Sequence, residues 1–325
     1  MSQLSFADLI VNSSRKVTRS EMKLDTINTL LDWEPLFELV KPCFPKGKLG
    51  GRPPKDLGIK TRMLLLQHLY NLSDPELEDQ LNDRLSFQRF CGIPLSEPVI
   101  DFSTFWRFKE RLAEQDIPVQ IFEQVNAQLE EKGLFLKRGT IVDASIIASS
   151  GRPLSTKKRE GLTFPSSQID TDAQSTKKRG KYYFGYKGHI GVDAGSKLIR
   201  KQCFTSAGPH DSTVKEALWS GDERFVSGDS AYSNQQDKQA CRKLGIYYGI
   251  LDKGTRRRKL SNRQKGRNRK KSAVRSAVEH PFAYIKKKLG YVCCRAKNLQ
   301  RNTLAFTMNC VVYNLMRAGY LLSLK

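Results

Sequence analysis

The spacing of apolar residues changes near residue 133, and this change constrains the fold more than any other feature of the chain. Residues 51–133 show helical periodicity in successive segments such as "DLGIKTRMLLLQHLYNL" and "VQIFEQVNAQLEEKG", which predict an all-helical domain. After residue 133, runs rich in β-branched residues alternate with helical segments. The order is three strands, helix, strand, helix, strand, helix, which predicts an α/β fold with a mixed five-stranded sheet flanked by helices.

Composition sets the expected boundaries of these parts. Residues 1–50 are expected to be a mobile N-terminal segment, and residues 51–133 a helical domain. Short helices joined by brief turns are compatible with a helix-turn-helix module that binds DNA, but the same pattern also fits an ordinary small bundle. Residues 134–325 are expected to be the α/β domain, with a mobile Ser-, Lys- and Gly-rich loop at 150–181 and a basic arm at 255–271.

The charge of the chain is strongly uneven. Its 325 residues include 56 Lys and Arg and 33 Asp and Glu, a net charge of +23. Residues 1–150 carry 19 basic and 21 acidic residues, a net of −2, whereas residues 151–325 carry 37 and 12, a net of +25. This asymmetry predicts a polyanion partner for the second half, although an over-charged solvated surface is the simpler alternative. The arm at 255–271 is expected to follow a phosphate backbone without reading sequence.

Seven cysteines without a CxxC pair indicate reduced thiols in a cytosolic protein and no zinc finger. The N-terminal apolar run is too short for a signal peptide. The apolar C-terminal segment "LAFTMNCVVYNLMRAGYLL" contains polar residues and is expected to be a packed helix, so no membrane contact is expected.

Three carboxylates stand in places where each needs an explanation. Asp143 interrupts the strand pattern "TIVDASII", Asp229 follows a strand in "VSGDSAY", and Glu279 lies in "SAVRSAVEHPFAYIKKKLGY", a predicted helix with Ser272 as its N-cap. Taken singly, they could be a satisfied core residue, a turn residue and a salt-bridge partner of Arg275. Taken together, two strand acids and one helix acid can converge, and three oxygen ligands suit Mg²⁺.

Two cations share the helical stripe of Glu279. At about 100° per residue, Arg275 and Lys286 lie on the same side of that predicted helix as the acid. Two metal ions roughly 4 Å apart can activate a nucleophile and stabilise a leaving oxygen in the in-line displacement at a phosphodiester. The arrangement therefore predicts a metal ligand beside two cations that hold phosphate.

These residues resemble the three acidic motifs of bacterial insertion-sequence DDE transposases, and the closest group is the insertion-sequence-five family. The likeness extends to "LSFADL", "LLLQHLYNLSDPELEDQL" and "GHIGVDAGS", and it covers most of the chain. The spacing Arg275-x3-Glu279-x6-Lys286 and the pair Asp229-x2-Tyr232 match the family pattern, but Ser272 stands where the family has a tyrosine.

The resemblance implies a ribonuclease-H-like catalytic domain with Asp143 on the first strand, Asp229 just after the fourth and Glu279 on a late helix. It also implies Mg²⁺-dependent cleavage at terminal inverted repeats, with Mn²⁺ as a substitute, followed by attack of the freed 3′-hydroxyl on target DNA. A homodimer or larger synaptic complex in the bacterial cytoplasm, associated with the nucleoid, follows from the same analogy. The alternatives are a Mg²⁺-dependent nuclease of this fold without strand transfer, and a non-enzymatic protein that binds the repeats.

Further residues are candidates for contacts with DNA. Lys187 and His189 alternate onto one face of the second predicted strand. His210, followed by Asp211, could touch a scissile phosphate or make a structural hydrogen bond. Trp219 and Tyr232 could stack on an unpaired base, but core packing is the simpler alternative. The residues expected to contact DNA are Arg275, Lys286, Tyr232, Lys187, His210, Arg256, Arg257, Arg258 and Lys259.

Overall fold

The computed structural model describes residues 16–44, 56–153, 168–178, 180–254 and 259–324. These residues form two compact units, one ending at Leu112 and the other beginning at Ala113. Each unit is described by itself below. No helix within these ranges is long and apolar enough to cross a membrane.

The first unit is all-helical, as the periodicity predicts. Its helices are α1 (Arg19–Leu30), α2 (Glu34–Val40), α3 (Leu57–Tyr70), α4 (Asp74–Asp83), α5 (Leu85–Cys91) and α6 (Phe102–Glu114), the last of which runs two residues into the second unit. Ser73 caps α4 by accepting a hydrogen bond from the backbone N–H of Glu76, whose carboxylate accepts one from the N–H of Ser73 in return.

The prediction that residues 1–50 are mobile is wrong for α1 and α2, which lie within that segment. Leu24 and Ile27 of α1 and Leu36 of α2 are each no more than 2 % exposed. Burial of these apolar side chains offsets the entropy lost when the segment becomes ordered. Residues 1–15 and 45–50 of that segment lie outside the described residues.

The second unit begins with a helix that the sequence assigns to the first. Helix α7 (Ile117–Glu131) packs against the long C-terminal helix α11 (Leu299–Leu322), and the amide Nδ2 of Asn314 donates a 2.8 Å hydrogen bond to Oδ1 of Asn126. The border therefore lies near residue 113 rather than 133. Periodicity identifies a helix but does not say which core its apolar face joins.

The mixed sheet of the second unit is confirmed, and all five predicted strands are present. They are β1 (Thr140–Ser149), β3 (Lys181–Asp193), β4 (Ile199–Ser206), β5 (Phe225–Gly228) and β6 (Tyr247–Tyr248). β3 pairs antiparallel with both β1 and β4, whereas β5 pairs parallel with β1 and with β6. The spatial order of these five strands is therefore β4-β3-β1-β5-β6.

Two short strands were not predicted. β2 (Gln174–Lys178) pairs antiparallel with the start of β3, and β7 (Cys293–Cys294) pairs parallel with the end of β1, so the described sheet has seven strands. The predicted loop at 150–181 is therefore wrong over 174–178. Its polar composition hides the strand because β2 is held by backbone pairing while most of its side chains are exposed.

The late helices differ from the prediction in where they begin. After α8 (Gln235–Lys243), helix α9 (Asn262–Arg275) starts ten residues before the predicted N-cap at Ser272. Ser261 caps it instead, accepting from the N–H of Gln264, whose side chain accepts from the N–H of Ser261. The expected arm at 255–271 is therefore helical from residue 262, because the cap and its strong helix formers outweigh like-charge repulsion.

A change of helix type separates α9 from the helix of the third acid. Residues Ser276–Val278 form a 3₁₀ turn, and α10 (Glu279–Lys287) follows it. Pro281 lies in the first turn of α10, where its missing N–H costs little. The interrupted pattern in the sequence is thus a junction between two helices, and Glu279 stands at that junction.

Candidate active site

Strand pairing brings the first two acids next to each other. The parallel register joins Thr140, Ile141 and Val142 of β1 to Val226, Ser227 and Gly228 of β5, and the β5 strand then ends. Asp143 is the next residue within β1, and Asp229 is the first residue after β5. The carboxyl ends of parallel strands are where α/β sheets place their ligands, so Asp229 lies where a ligand is expected, with Asp143 on the neighbouring strand.

Burial and the cation beside it shift the pKa of Asp143 in opposite directions. Its side chain is 21 % exposed, and burial raises the pKa of its carboxyl above the ordinary value. The N–H of Ala144, which donates to Oδ1 at 2.9 Å, and the guanidinium of Arg275 lower the pKa, whereas the negative charge of Asp229 raises it. The two carboxylates are therefore close enough to repel each other.

Asp229 has a second role at the end of its strand. Its carboxylate accepts a 2.6 Å hydrogen bond from the N–H of Ser230 and caps the 3₁₀ turn Ser230–Tyr232. Asp229 is thus a turn residue, as the alternative expects. The negative charge of the same side chain also acts on Asp143. The two interpretations of Asp229 do not exclude each other.

Arg275 joins the strand acid to the helix acid. Its Nη1 donates to Oδ2 of Asp143 at 3.0 Å, and its Nη2 lies 3.8 Å from Oε1 of Glu279. The Glu279 side chain is 66 % exposed, so its pairing with Arg275 is loose. Within the described part of the chain, the buried Nε of Arg275 meets no hydrogen-bond partner. The predicted salt bridge of Glu279 is present, and it also connects Glu279 to Asp143.

Lys286, in α10, is the second cation that contacts β1. Its Nζ donates a 2.8 Å hydrogen bond to the carbonyl of Ile146, three residues beyond Asp143. Burial lowers the pKa of Lys286, and the positive charge of Lys178 lowers it further. The predicted stripe of Arg275, Glu279 and Lys286 therefore does face the strand that carries Asp143.

The donor set suits a hard divalent cation, but the three acids are not assembled around one point. No group of three Asp, Glu, His or Cys residues within the described ranges is close enough to hold one metal ion. The Arg275 guanidinium occupies the gap between Asp143 and Glu279 as a cation of the protein itself. Carboxylate oxygens on the remaining pair, Asp143 and Asp229, are the ligands that Mg²⁺ prefers. The chemistry of a metal site therefore fits, and the long exposed side chain of Glu279 could join it by turning away from Arg275.

The aromatic residues expected to stack on a base lie in the core. Tyr232 is 1 % exposed and packs with Val142, Leu218 and Ile250, and partly buried Trp219 packs against the same cluster. The Tyr232 hydroxyl is buried and has no hydrogen-bond partner within the described ranges. Its ring is therefore not available to a base in this structure, and the core-packing alternative describes both residues.

Lys187, His189 and His210 hold the sheet and its following loop. Lys187 is 9 % exposed, and its Nζ donates to Oδ1 of Asp211 at 2.9 Å and to the carbonyl of Pro209 at 2.7 Å. This pairing does not present Lys187 to a phosphate. His189 is 1 % exposed with Nε2 3.1 Å from Oγ1 of Thr205, and burial lowers its pKa to about 4. His210 is exposed and caps the turn Asp211–Val214, which is the structural alternative for that residue.

Helix α9 carries a basic surface. Arg256, Arg257 and Arg258 lie outside the described residues, and Lys259 is exposed. The helix is fastened to the segment after β6 by Asn268, which exchanges 3.0 Å hydrogen bonds with the backbone of Asp252, and by Lys271, which donates to the carbonyl of Ile250. Its exposed cations are Arg263, Lys265, Arg267, Arg269 and Lys270.

One element near the site was missed by the sequence prediction. Lys178, in the unpredicted strand β2, lies close enough to Asp143 for its charge to lower the pKa of that carboxyl. The segment "QSTKKRGKYYF" does carry a signal, because a Gly follows the first basic run and aromatic residues follow the second. The Lys-rich composition around this pattern is that of a loop, and it obscures the hairpin.

The sequence matches two families of transposase domains. Residues 134–315, more than half of the chain, match the family described as "Transposase DDE domain", and residues 11–111 match the family described as "Transposase domain (DUF772)". The chain belongs to the DDE transposase family and is a DNA transposase. A solved structure of the piggyBac transposase synaptic complex with hairpin DNA is similar to 94 % of this chain and 76 % of that chain, at 10 % identity and a TM-score of 0.49.

Proposed function

We propose that this transposase acts as an insertion-sequence transposase of the insertion-sequence-five type. It cuts DNA at the terminal inverted repeats of its element and joins the freed 3′-hydroxyl ends to target DNA by two-metal phosphoryl transfer. The observation that carries this proposal is the placement of Asp143 on β1 beside Asp229 at the end of the neighbouring strand β5, with Arg275 linking Asp143 to Glu279. Asp143 lies on the first of the five predicted strands, and Asp229 follows the fourth. This order also supports a ribonuclease-H-like domain.

Asp143, Asp229 and Glu279 are the residues that would hold Mg²⁺, or Mn²⁺ in its place. When bound, the metal supplies charge neutralisation and activates the attacking oxygen. The raised pKa of Asp143 fits this assignment, because a carboxyl that is buried beside a second acid needs a cation in order to stay ionised. Arg275 provides such a cation within the protein.

The cations of the second unit would position the DNA strand. Arg275 contacts two of the acids through two nitrogens, Nη1 and Nη2, and Lys286 in α10 donates a hydrogen bond to the strand that carries Asp143. Both can reach a phosphate held against the acids. The exposed cations of α9 and Lys259 would follow the backbone further along, with a strong dependence of affinity on salt.

The partners in this proposal are the terminal inverted repeats and the target DNA, with a homodimer or larger assembly to pair two DNA ends. The helical first unit is the candidate helix-turn-helix module that binds the repeats. A nuclease of the same fold without strand transfer, or a repeat-binding protein without catalysis, are the alternatives that the experiment must separate.

The test is cleavage of a labelled duplex that carries the terminal repeat flanking the gene. We expect the wild type to nick at the repeat boundary with Mg²⁺ and not with EDTA. Glu279→Gln keeps the size of the side chain but loses the charged oxygen ligand, so it should bind the duplex and fail to cut. Glu123→Gln is the matched control, because Glu123 is another exposed glutamate with a loose ion pair, to Lys201 at 3.4 Å.

The outcomes separate the transposase from the nuclease and from the non-catalytic repeat-binding protein. Metal-dependent nicking that Glu279→Gln abolishes and Glu123→Gln retains supports the acid site, and joining of the cut ends to a plasmid then excludes a simple nuclease. If the wild type and Glu279→Gln bind equally and neither cuts, the site is not catalytic and the repeat-binding alternative stands. If Glu279→Gln cuts as well as the wild type, Glu279 is only the salt-bridge partner of Arg275.

A further inference from the structure

The hairpin formed by β2 and β3 carries an unusual set of exposed side chains. Tyr182 is 75 % exposed and Tyr183 is 39 % exposed, and Lys177, Lys178 and Lys181 are exposed around them. Isolated exposed aromatic residues need no explanation, but two adjacent tyrosines among three lysines match the needs of a single nucleic-acid strand. Bases stack on aromatic rings, and phosphates pair with cations.

The two faces of this hairpin differ. In the antiparallel register Thr176 pairs with Tyr183, and Lys178 pairs with Lys181. Side chains of cross-strand partners share a face and successive residues alternate, so Tyr183, Lys178 and Lys181 lie on one face. Tyr182 lies on the other face with its partner Lys177, whose Nζ is 5.1 Å from the centre of the Tyr182 ring.

The Tyr183 face carries two of the three lysines. Lys178 and Lys181 pair across the hairpin on the side of Tyr183, whereas Lys177, on the other side, lies over the Tyr182 ring. A base stacked on Tyr183 would therefore have two cations beside it for its phosphates.

The base of the hairpin is fixed while its tip is open. Asp170 accepts hydrogen bonds from Oγ of Ser149 at 2.5 Å, from the hydroxyl of Tyr186 at 2.7 Å and from the N–H of Ala173 at 3.2 Å. These contacts tie β1, β3 and the start of β2 together. A stacking side chain on a rigid support loses little freedom when it binds, and this favours a binding role for the tip.

We propose that the Tyr183 face of this hairpin binds single-stranded DNA, with a base stacked on Tyr183 and phosphates held by Lys178 and Lys181. This inference rests on the proposed transposase function, since it names a surface of the second unit that would hold an unpaired DNA end. It assigns the stacking role to the hairpin in place of the buried rings of Tyr232 and Trp219.

The test is binding of the full-length protein to a mixed-sequence single-stranded oligonucleotide containing 2-aminopurine, whose fluorescence reports stacking. Tyr183→Ala should weaken binding about 5- to 150-fold, the range for loss of one stacked base. Tyr183→Phe should bind as the wild type does, because the ring and not the hydroxyl carries the contact. Tyr182→Ala is the matched control on the opposite face and should change affinity by less than about twofold on this reasoning.

The lysines have a separate readout that does not require Tyr183. Lys178→Gln and Lys181→Gln should each reduce the slope of log affinity against log salt by about 0.7, the value for one phosphate contact on a single strand. The proposal is overturned if Tyr183→Ala binds like the wild type with an unchanged thermal transition, or if Tyr182→Ala weakens binding as much as Tyr183→Ala. If Tyr183→Ala shifts the thermal transition, its weaker binding could come from unfolding, and the lysine variants decide instead. Unchanged salt slopes in both lysine variants then overturn the proposal.

This test is independent of the cleavage test. Single-strand binding needs neither metal nor the correct terminal repeat. Loss of binding in Tyr183→Ala with no cleavage by the wild type would retain the hairpin site and reject the catalytic function. Cleavage by the wild type with no effect of Tyr183→Ala on single-strand binding would retain the function and reject the hairpin site.

Discussion

Replacing Arg275 by Met should destabilise the second unit and do so mainly at neutral and alkaline pH. The ion pair of Arg275 with Asp143 is 3.0 Å long, and its side chains are 23 % and 21 % exposed. Exposed pairs contribute about 0–1 kcal/mol, and removing one partner of a buried pair costs about 3–5 kcal/mol. A pair that is four-fifths buried lies between these values, so we expect a loss of about 2 kcal/mol. The looser contact with the exposed Glu279 adds at most about 0.5 kcal/mol.

The assay is thermal unfolding followed by circular dichroism. The unit from Ala113 to Lys325 spans 213 residues, for which 1 kcal/mol corresponds to about 2–4 °C, so the transition should fall by about 4–8 °C. Arg267→Met is the matched control on the same helix. Arg267 is half exposed and lies 3.5 Å from Asp252, so its loss should cost less than about 1 kcal/mol.

The pH dependence follows from the carboxyl of Asp143. Burial raises its pKa in the folded state, and the charge of Arg275 partly opposes this. Without Arg275 the pKa rises further, so the folded variant increasingly favours the protonated acid. The deficit of the variant should therefore be complete at pH 8, above the folded pKa, and should shrink as the pH falls toward the ordinary value of 3.8.

A double-mutant cycle with Asp143→Asn gives the result that would refute this reasoning. The two substitutions should show a coupling of about 1–2 kcal/mol at pH 8, because they remove the same ion pair. Additivity within about 0.5 kcal/mol would mean that the pair contributes nothing in solution. A deficit for Arg275→Met that is equally large at pH 4 would reject the assignment to a charged Asp143.

Two further predictions follow from single positions. Gly185 has φ +152°, and a Cβ there would lie 2.3 Å from the carbonyl of Ile147, so Gly185→Ala should cost about 2–5 kcal/mol in thermal unfolding. Gly266→Ala, in the open middle of α9, should instead stabilise by about 0.5–1 kcal/mol, and equal effects would contradict both. Burial lowers the pKa of His189 to about 4, so its ring signals in NMR should not titrate between pH 8 and 5.5. Because the unfolded His takes up its proton near pH 6.5, stability should decline as the pH falls from 6.5 to 4, and His189→Gln should lessen that decline.

The sequence was sufficient for the elements that bury apolar residues. The five predicted strands and the helices from Leu57 to Glu131 occur where the sequence places them, because runs rich in β-branched residues and helical apolar spacing both mark segments that bury apolar side chains. Periodicity did not reveal that α7 joins the second unit. The partner of a helix is a tertiary property, and it appears only when α7 packs against α11.

The errors concern segments whose order does not come from burial. Helix α9 has no buried residue and is formed by good helix formers behind the cap at Ser261, so apolar spacing underestimates its length. Strand β2 is ordered by backbone pairing to β3 and by the contacts of Asp170. The opposite error concerns Tyr232. Its hydroxyl is typical of an aromatic residue at a surface, but the side chain lies in the core.

The sequence predicts which acids form the candidate site, but not how cations from separate elements are arranged around them. The sequence predicts that Asp143, Asp229 and Glu279 converge. Strand register accounts for the first two, whereas Glu279 is linked to Asp143 only through Arg275. The sequence does not indicate that cations from three separate elements meet the same strand: Arg275 at the end of α9, Lys286 in α10 and Lys178 in β2. Such cations are costly to place near one another, and the charge of Lys178 does lower the pKa of Lys286. Their convergence is explained by a ligand that carries negative charge of its own, because a neutral substrate would leave the repulsion between Lys178 and Lys286 uncompensated. A phosphodiester strand supplies that charge at regular intervals, so a DNA partner accounts for cations that a neutral substrate would leave unexplained.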